Sequence, residues 1–287
     1  MKARGERHHR VFTNRRLQEI KMVSPKVLVL RAPGTNCDEE TAFAFEQVGA
    51  NVVSIHVNAL IEDPKLGDDC QILCFPGGFS YGDDIAAGRI LAGRLNVHLS
   101  EMVEQFRDED RLVLGICNGF QVMMRLGIFF PGTVYENAIE NPPATLTWNR
   151  QARFEDRWVH LKNEASNSVF LRDIESMYLP MAHAEGRFVI SDAGSTEKLL
   201  TNNQLGLRYC SADGQTGAEP LDFPINPNGA DYNVAGISDP TGRIFGLMPH
   251  PERHIDPTQH PNWTRRSEQP AVGEGLKMFQ NAVEYFA

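Results

Sequence analysis

The sequence predicts an α/β fold: a three-layer, mostly parallel sheet with helices on both faces and a nucleophile elbow. Short apolar runs recur along the first half of the chain, as expected of parallel strands buried on both faces. Segments with helical spacing of apolar residues separate these runs, and the alternation indicates parallel crossovers. One run leads through a turn between two glycines directly into a helix. The predicted strands of this half are residues 26–30, 51–55, 71–75 and 112–116.

The helices between these strands are predicted from spacing and from capping residues. Asp38 is placed to cap a helix whose apolar face includes Phe45, and Gly49 ends that helix. A second helical segment is expected near residues 85–107. A third follows the strand at 112–116 and stops at Gly127.

The second half of the chain has a different pattern. From about residue 140, shorter segments of alternating character predict antiparallel strands added to one edge of the sheet. A parallel strand returns at residues 244–248, and a closing helix is predicted over 272–286. A long polar loop occupies 256–272. The sequence shows no internal repeat, so residues 25–287 are predicted to form one domain.

Charge sets residues 1–24 apart from the rest of the chain. They contain seven Lys or Arg and two Glu, whereas the 287-residue chain has a net charge of −9. We therefore predict a basic, disordered N-terminal extension, with Met22 as an alternative start. The acidic body argues against nucleic-acid binding. No apolar run approaches the roughly 20 residues of a membrane-spanning helix, and five thinly spread cysteines favour the cytoplasm over a disulfide framework.

Cys117 is the strongest candidate nucleophile. It lies in residues 115–121 (GICNGFQ), where a buried strand turns sharply into a helix, as in a nucleophile elbow with Cys in the place of Ser. A helix N-terminus favours thiolate over thiol, and the backbone N–H groups that follow can receive a developing oxyanion. The alternative is a buried structural Cys, but a packed core strand has no use for flanking glycines.

The strand at 244–248 is followed by a motif that can complete a triad. Ligands of open α/β sheets bind beyond the carboxyl ends of the strands, so this motif (PHPER, 249–253) is expected at the same edge as Cys117. His250 would act as the proton shuttle, and Glu252 would orient its imidazole. This is the arrangement that acyl transfer requires.

The strand at 71–75 is followed by two glycines that can bring backbone close to a ligand. We expect the N–H groups of Gly77 and Gly78, together with that of Asn118, to form the oxyanion hole. A plain tight turn after a strand is the alternative for the glycine pair.

Two rivals compete with the predicted triad. Cys37 also follows a strand, but its acidic neighbours, residues 38–40, are expected to raise the pKa of its thiol. His183 and Glu185 form a second His-x-Glu pair, which by spacing alone competes with His250.

No metal site is predicted. Cys70 and Cys74 have neither a second Cys pair nor a nearby His, so zinc is not expected there. Asp83 and Asp84 lack a third ligand close by and are interpreted as part of a solvated loop.

With these motifs the chain resembles the class I glutamine amidotransferases, and most of all the glutaminase subunits of phosphoribosylformylglycinamidine synthase in purine biosynthesis. Many amidotransferases share the Cys and His-Pro-Glu motifs, whereas residues 79–83 and 118–121 are narrower signals. The resemblance runs from residue 26 to the C-terminus, and the basic extension and the length of 254–275 depart from the family pattern. The matching motifs are PGTNCD at 33–38, PGGFSYGD at 76–83, GICNGFQ at 115–121, AHAEG at 182–186 and PHPER at 249–253.

The resemblance implies roles for individual residues. It implies Cys117 as nucleophile with His250 and Glu252, and so decides between the two His-x-Glu pairs. It also implies Gly78 and Asn118 around the oxyanion. The residues implied near bound glutamine are Gln121, His183, Glu185 and Gly186.

The resemblance further implies a glutaminase that hydrolyses glutamine to glutamate and ammonia for a partner synthase. That synthase converts formylglycinamide ribonucleotide to formylglycinamidine ribonucleotide, and its implied components are a large ATP-dependent subunit and a small bridging one. No cofactor is expected in this chain, which lacks Gly-x-x-x-x-Gly-Lys, and ATP and Mg are expected on the synthase subunit. Two alternatives stay open: a stand-alone Cys hydrolase (peptidase or esterase) on the same fold, and a non-catalytic regulatory subunit.

Overall fold

The computed structural model describes residues 24–130, 142–164, 166–266 and 270–287. The N-terminal extension predicted over residues 1–24 lies, apart from its last residue, outside them and stays a prediction. The strands in the described residues are β1 (Lys26–Arg31), β2 (Asn51–His56), β3 (Ile72–Phe75), β4 (Leu112–Ile116), β5 (Ala144–Thr147), β6 (Glu155–Asn163), β7 (Ser176–His183), β8 (Arg187–Ile190), β9 (Leu207–Cys210), β10 (Val234–Ser238) and β11 (Ile244–Leu247).

The central sheet has nine strands in the order β2-β1-β3-β4-β11-β10-β9-β6-β7. The first five pair in parallel, and the remaining four continue the sheet antiparallel from β11. β5 and β8 form a separate antiparallel pair. The predicted α/β architecture is confirmed, including the antiparallel strands added at one edge.

Helices pack against this sheet in two groups. α1 and α7 lie together, with the rings of Phe45 and Phe279 edge to face at 4.9 Å, and α3 packs on α5, which covers β3, β4 and β11. Among the described residues, no helix has the length and apolarity needed to cross a membrane. The helices are α1 (Asp38–Gln47), α2 (Val57–Glu62), α3 (Arg89–His98), α4 (Ser100–Asp108), α5 (Asn118–Leu126), α6 (Ala193–Thr201) and α7 (Leu276–Glu284).

Three sequence predictions about helices need correction. The segment predicted near 85–107 is two helices, because the backbone of Leu99 leaves helical geometry (φ −133°) and redirects α4 so that its apolar face is buried. The closing helix is shorter than 272–286. Asp38 does not cap α1: its side chain pairs with Arg31 at 2.5 Å, and Cys37 is the N-cap residue, without a side-chain hydrogen bond.

The strands β3 and β4 position the site, and every residue in both is buried. Their continuous apolar sequences follow from helices covering both faces. α5 approaches β3 very closely, since a Cβ on Gly119 would lie 1.8 Å from the carbonyl oxygen of Phe75. A side chain at this position would push the helix off the sheet.

We expect Gly119→Ala to lower the free energy of unfolding by about 2–4 kcal/mol, because the added methyl collides with backbone that cannot move aside cheaply. Gly93→Ala is the matched control. Gly93 lies inside α3 with open space around its Cα, so the change should stabilise by up to about 1 kcal/mol. Urea unfolding measures both, and equal midpoints would contradict the close-approach argument.

Candidate active site

Parallel pairing of β4 with β11 brings Cys117 and His250 together. Leu247, the last residue of β11, lies opposite Ile116, the last residue of β4. Cys117 follows at once, and its N–H donates to the Leu247 carbonyl at 2.8 Å. His250 comes three residues after Leu247, and its imidazole contacts the Cys117 thiol. Two residues 133 positions apart are therefore neighbours because their strands are.

The backbone of Cys117 has the strained geometry of a nucleophile elbow. Its φ is 51° and its ψ −106°, values that a side-chain-bearing residue seldom adopts. Tight packing on either side holds it there: a Cβ on Gly115 would lie 2.3 Å from Met123 Sδ, and Gly119 has no more room. Cys117 is the N-cap residue of α5, and its Sγ lies 3.7 Å from the carbonyl oxygen of Ala182 in β7.

His250 and Glu252 form a buried pair. Nδ1 of the imidazole lies 2.6 Å from Glu252 Oε1, and the two residues are 2% and 1% exposed. Burial lowers the pKa of His250, but the opposing charges of Glu252 and Cys117 outweigh it, so the pKa stands well above its ordinary value. The ring is thus set to carry a proton beside the thiol.

The glycine pair after β3 lies against this pair of side chains. A Cβ on Gly77 would be 2.9 Å from His250 Cε1 and 3.5 Å from Cys117 Cβ. Gly78 has φ +138°, and a Cβ there would meet the backbone of residues 34–36. In the loops and turns of the described residues, neither the Gly78 nor the Asn118 N–H donates a backbone hydrogen bond. Neither N–H group is therefore engaged by a loop carbonyl.

The side chains of Asn118 and Gln121 are tied into one network. Asn118 Nδ2 donates to Asp83 Oδ1 and to Gln121 Oε1, both at 3.0 Å. Gln121 Nε2 in turn donates to the Glu185 carbonyl at 2.5 Å. Burial, followed by the charge of Glu185, raises the pKa of Asp83 to about 6. This network joins the elbow to the loop after β7.

His183 and Glu185 do not form a second dyad. His183 Nδ1 lies 3.1 Å from Asn149 Oδ1, while Glu185 Oε2 accepts from the Ala87 N–H at 3.3 Å. Burial, with a smaller effect of His250, lowers the pKa of His183 to about 3. Gly186 packs on the ring, since a Cβ there would be 2.1 Å from His183 Cε1. His183 is neutral and its ring faces the side-chain amide of Asn149, so it is better suited to contact with a ligand than to proton transfer.

A cavity of about 250 Å³ opens over Cys117. A larger cavity of about 640 Å³ shares no lining residue with it and does not reach the triad. The smaller cavity lies between Cys117, the loop that follows β3 (residues 78–83) and the residues at the end of β7 (182–185). Its lining is Gly78, Phe79, Gly82, Asp83, Cys117, Gln121, Trp148, Ala182, His183, Ala184 and Glu185.

Cys37 is closer to the triad than the sequence analysis expected. Its Sγ accepts from Arg253 Nη2 at 3.1 Å, and its thiol contacts His250. Burial is the main reason that its pKa is raised, with His250 opposing. The pKa of Cys37 is raised as the sequence predicts, but burial causes the increase and the acidic neighbours do not. Two of the three neighbouring acids are paired with arginines, Asp38 with Arg31 and Glu40 with Arg253.

Sequence reasoning also missed Asn149, which organises the loop after β7. Its Oδ1 faces His183 Nδ1 and accepts from the Gly186 N–H, and its Nδ2 donates to the His183 carbonyl at 2.8 Å. No motif marks an Asn in this role, so the sequence held no signal for it.

Glu252→Gln should lower the pKa of His250, because burial then acts with much less opposition. We expect the wild-type imidazole to stay protonated above pH 6.5 and the variant imidazole to be neutral there, measured by ¹⁵N chemical shifts. His183 serves as the internal control, remaining neutral in both proteins until the pH approaches about 3. Identical titration of His250 in both proteins would show that Glu252 does not set its charge.

Comparison with known proteins places this site in a family. The model of the CobB/CobQ-like glutamine amidotransferase domain matches residues 24–286. Two relatives named phosphoribosylformylglycinamidine synthase subunit PurQ are each 42% identical: that of Dehalococcoides mccartyi (92% of this chain, 98% of the relative) and that of Methanococcus maripaludis (91% and 98%). A chain of the structure of PurLQS from Thermotoga maritima matches with a TM-score of 0.66 at 28% identity, covering 92% of this chain and all of that one. The chain therefore belongs to the CobB/CobQ-like glutamine amidotransferases, in the group of the PurQ subunits.

Proposed function

We propose that this chain is the glutaminase subunit of a phosphoribosylformylglycinamidine synthase. It hydrolyses glutamine to glutamate and ammonia for a partner that converts formylglycinamide ribonucleotide to formylglycinamidine ribonucleotide in purine biosynthesis. The observation that carries the proposal is the contact of Cys117, at a strained elbow over a cavity, with the buried His250–Glu252 pair. The PurQ relatives supply the identity of the synthase.

Attack begins from a thiolate–imidazolium pair. The Cys117 thiolate adds to the carbonyl carbon of the glutamine side-chain amide, and the oxygen becomes negative. The N–H groups of Gly78 and Asn118 stabilise that charge. Gly77 contributes by lacking a side chain, since a Cβ there would enter the space held by His250.

His250 then moves protons in two directions. Its imidazolium protonates the departing nitrogen, so ammonia leaves and a glutamyl thioester remains. The neutral ring next takes a proton from water, whose oxygen attacks the thioester and frees glutamate. Glu252 fixes the tautomer of the ring and stabilises its charged form.

The remaining cavity residues hold the amino acid. Gln121 lines the cavity beside Cys117, and the loop of His183, Glu185 and Gly186 closes the other side. The hydrogen bonds from Asn118 through Gln121 to the Glu185 carbonyl hold this loop in place against the elbow.

The synthase needs unprotonated ammonia, and at neutral pH most ammonia free in water is protonated, which favours direct transfer to a partner. The partners we propose are a large ATP-dependent synthase subunit and a small bridging subunit. We assign ATP and Mg to the synthase subunit and no cofactor to this chain. All five cysteines are free, which supports a cytoplasmic location.

Cys117→Ala should abolish glutamine-dependent synthesis by the assembled complex, at least about 10³-fold, because no other group forms the thioester. Synthesis from added ammonium salt should continue, since the synthase site is untouched. Cys70→Ala, which alters a thiol outside the cavity, is the control and should keep both activities. Loss of both activities in Cys117→Ala would indicate a structural role.

An electrophilic glutamine analogue should form one adduct, on Cys117, when the complex is treated and digested for mass spectrometry. The Cys117 thiol lines the cavity, whereas that of Cys37 does not. Absence of any adduct on Cys117 would favour a non-catalytic regulatory subunit. Efficient turnover of esters or peptides by the isolated chain, without reaction toward glutamine, would favour a stand-alone hydrolase.

A further inference from the structure

A second thiol lies against the imidazole and carboxylate of the triad. Cys37 Sγ, a ring nitrogen of His250 and a carboxylate oxygen of Glu252 all lie within 4.8 Å of one another. The three residues are 1%, 2% and 1% exposed. The proposed hydrolysis uses Cys117 for attack and gives Cys37 no task.

Two buried polar atoms in this cluster make no hydrogen bond within the described residues, although the imidazole contacts both thiols. They are His250 Nε2 and Glu252 Oε2. Buried nitrogen and oxygen atoms are rarely left unpaired. Glu252 Oε2 therefore gains from a cation, and His250 Nε2 gains from one once its proton has left. A thiolate, an imidazole nitrogen and a carboxylate oxygen are the three ligand types that zinc prefers in proteins.

We propose that Cys37, His250 and Glu252 form a binding site for Zn²⁺, which holds the enzyme inactive while it is bound. The ion replaces the Cys37 thiol proton and takes the lone pair of a neutral His250 nitrogen, so any proton on that nitrogen is released to solvent. An imidazole bound in this way can neither protonate ammonia nor activate water. The inhibitory part rests on the proposed function, whereas the binding part does not.

The geometry of the cluster needs only a small adjustment. With Zn–S and Zn–N bonds of about 2.3 and 2.0 Å, neighbouring ligands of a tetrahedral ion lie roughly 3.5 Å apart. Side-chain rotation can close the remaining gap.

The other groups around Cys37 are compatible with a cation. Arg253 Nη2 donates to Cys37 Sγ, but the guanidinium is paired with Glu40 at 2.7 Å, which offsets its charge. Asn36 Oδ1 accepts from the thiol at 3.2 Å and would be released when the proton leaves.

A competing arrangement is zinc held between Cys117 and His250, as in any cysteine enzyme with a thiol beside an imidazole. The two arrangements predict opposite effects of two substitutions. If Cys37 is a ligand, Cys37→Ala loses the site and Cys117→Ala keeps it. If the ion bridges the nucleophile and the imidazole, the losses are reversed.

The test uses the full-length chain, with Co²⁺ as a spectroscopic probe and Zn²⁺ in calorimetry. We expect a thiolate-to-cobalt absorption band in wild type and in Cys117→Ala, with zinc affinities within about twofold of each other. In Cys37→Ala the band should disappear and zinc affinity fall about tenfold or more. Cys70→Ala is the matched control and should behave as wild type, and urea unfolding checks that each variant folds.

In the assembled complex, Zn²⁺ should inhibit glutamine hydrolysis, and Cys37→Ala should need about tenfold more zinc for the same inhibition. Absence of binding in wild type, or binding lost in Cys117→Ala and retained in Cys37→Ala, would overturn the site. Zinc binding as expected in a chain without glutaminase activity would instead refute the proposed function and leave the site standing.

Discussion

The parallel register of β4 and β11 is the constraint on which the site depends. With Ile116 opposite Leu247, both strands end at the same level, so Cys117 and His250 meet at one edge of the sheet. A slip of one residue would turn every side chain of a strand to the other face. Close packing prevents it: a Cβ on Gly246 would lie 2.3 Å from the ring of Phe120, the residue of α5 that covers β11.

The strand register brings Cys117 and His250 together, and burial of His250 with Glu252 sets the chemistry of the pair. A charged imidazole is expensive to bury alone, and Glu252 offsets that cost within a polar pair from which solvent is excluded. The same exclusion strengthens every interaction with charge that develops during a reaction. The strained backbone of Cys117 is held by close packing at Gly115 and Gly119. Packing of the surrounding fold therefore offsets the conformational strain of the elbow.

Local patterns predicted the parts of the molecule that local interactions determine. Continuous apolar runs marked β1, β3 and β4, and Gly127 marked the end of α5, because burial and a positive φ each leave a mark on residue type. Contacts between residues of different elements could not be predicted from local patterns. Nothing near Asp38 shows that Arg31 will take its carboxylate, and the break at Leu99 serves packing of α4 against strands elsewhere in the chain.

The residues of the candidate site were likewise predictable where a local motif marks them and unpredictable where their role depends on other parts of the chain. A nucleophile elbow and a His-Pro-Glu motif are local, so Cys117, His250 and Glu252 could be named before their geometry was known. Asn149 acts through a loop some 35 residues away, and its partners His183 and Gly186 carry no mark of it. Cys37 was judged by its sequence neighbours, whereas burial and His250 govern its thiol.

The two thiols beside His250 differ in access as well as in backbone geometry. Both residues precede a helix, and both contact the same imidazole. Cys117 lines the cavity, whereas Cys37 lies beneath the loop of Gly77 and Gly78, with its Sγ 3.0 Å from where a Gly77 Cβ would be. A substrate carbonyl can therefore approach Cys117 and not Cys37. An ion, which needs far less room than an amino acid, is not subject to that restriction, so the same imidazole can serve the nucleophile or the proposed metal site, but not both at once.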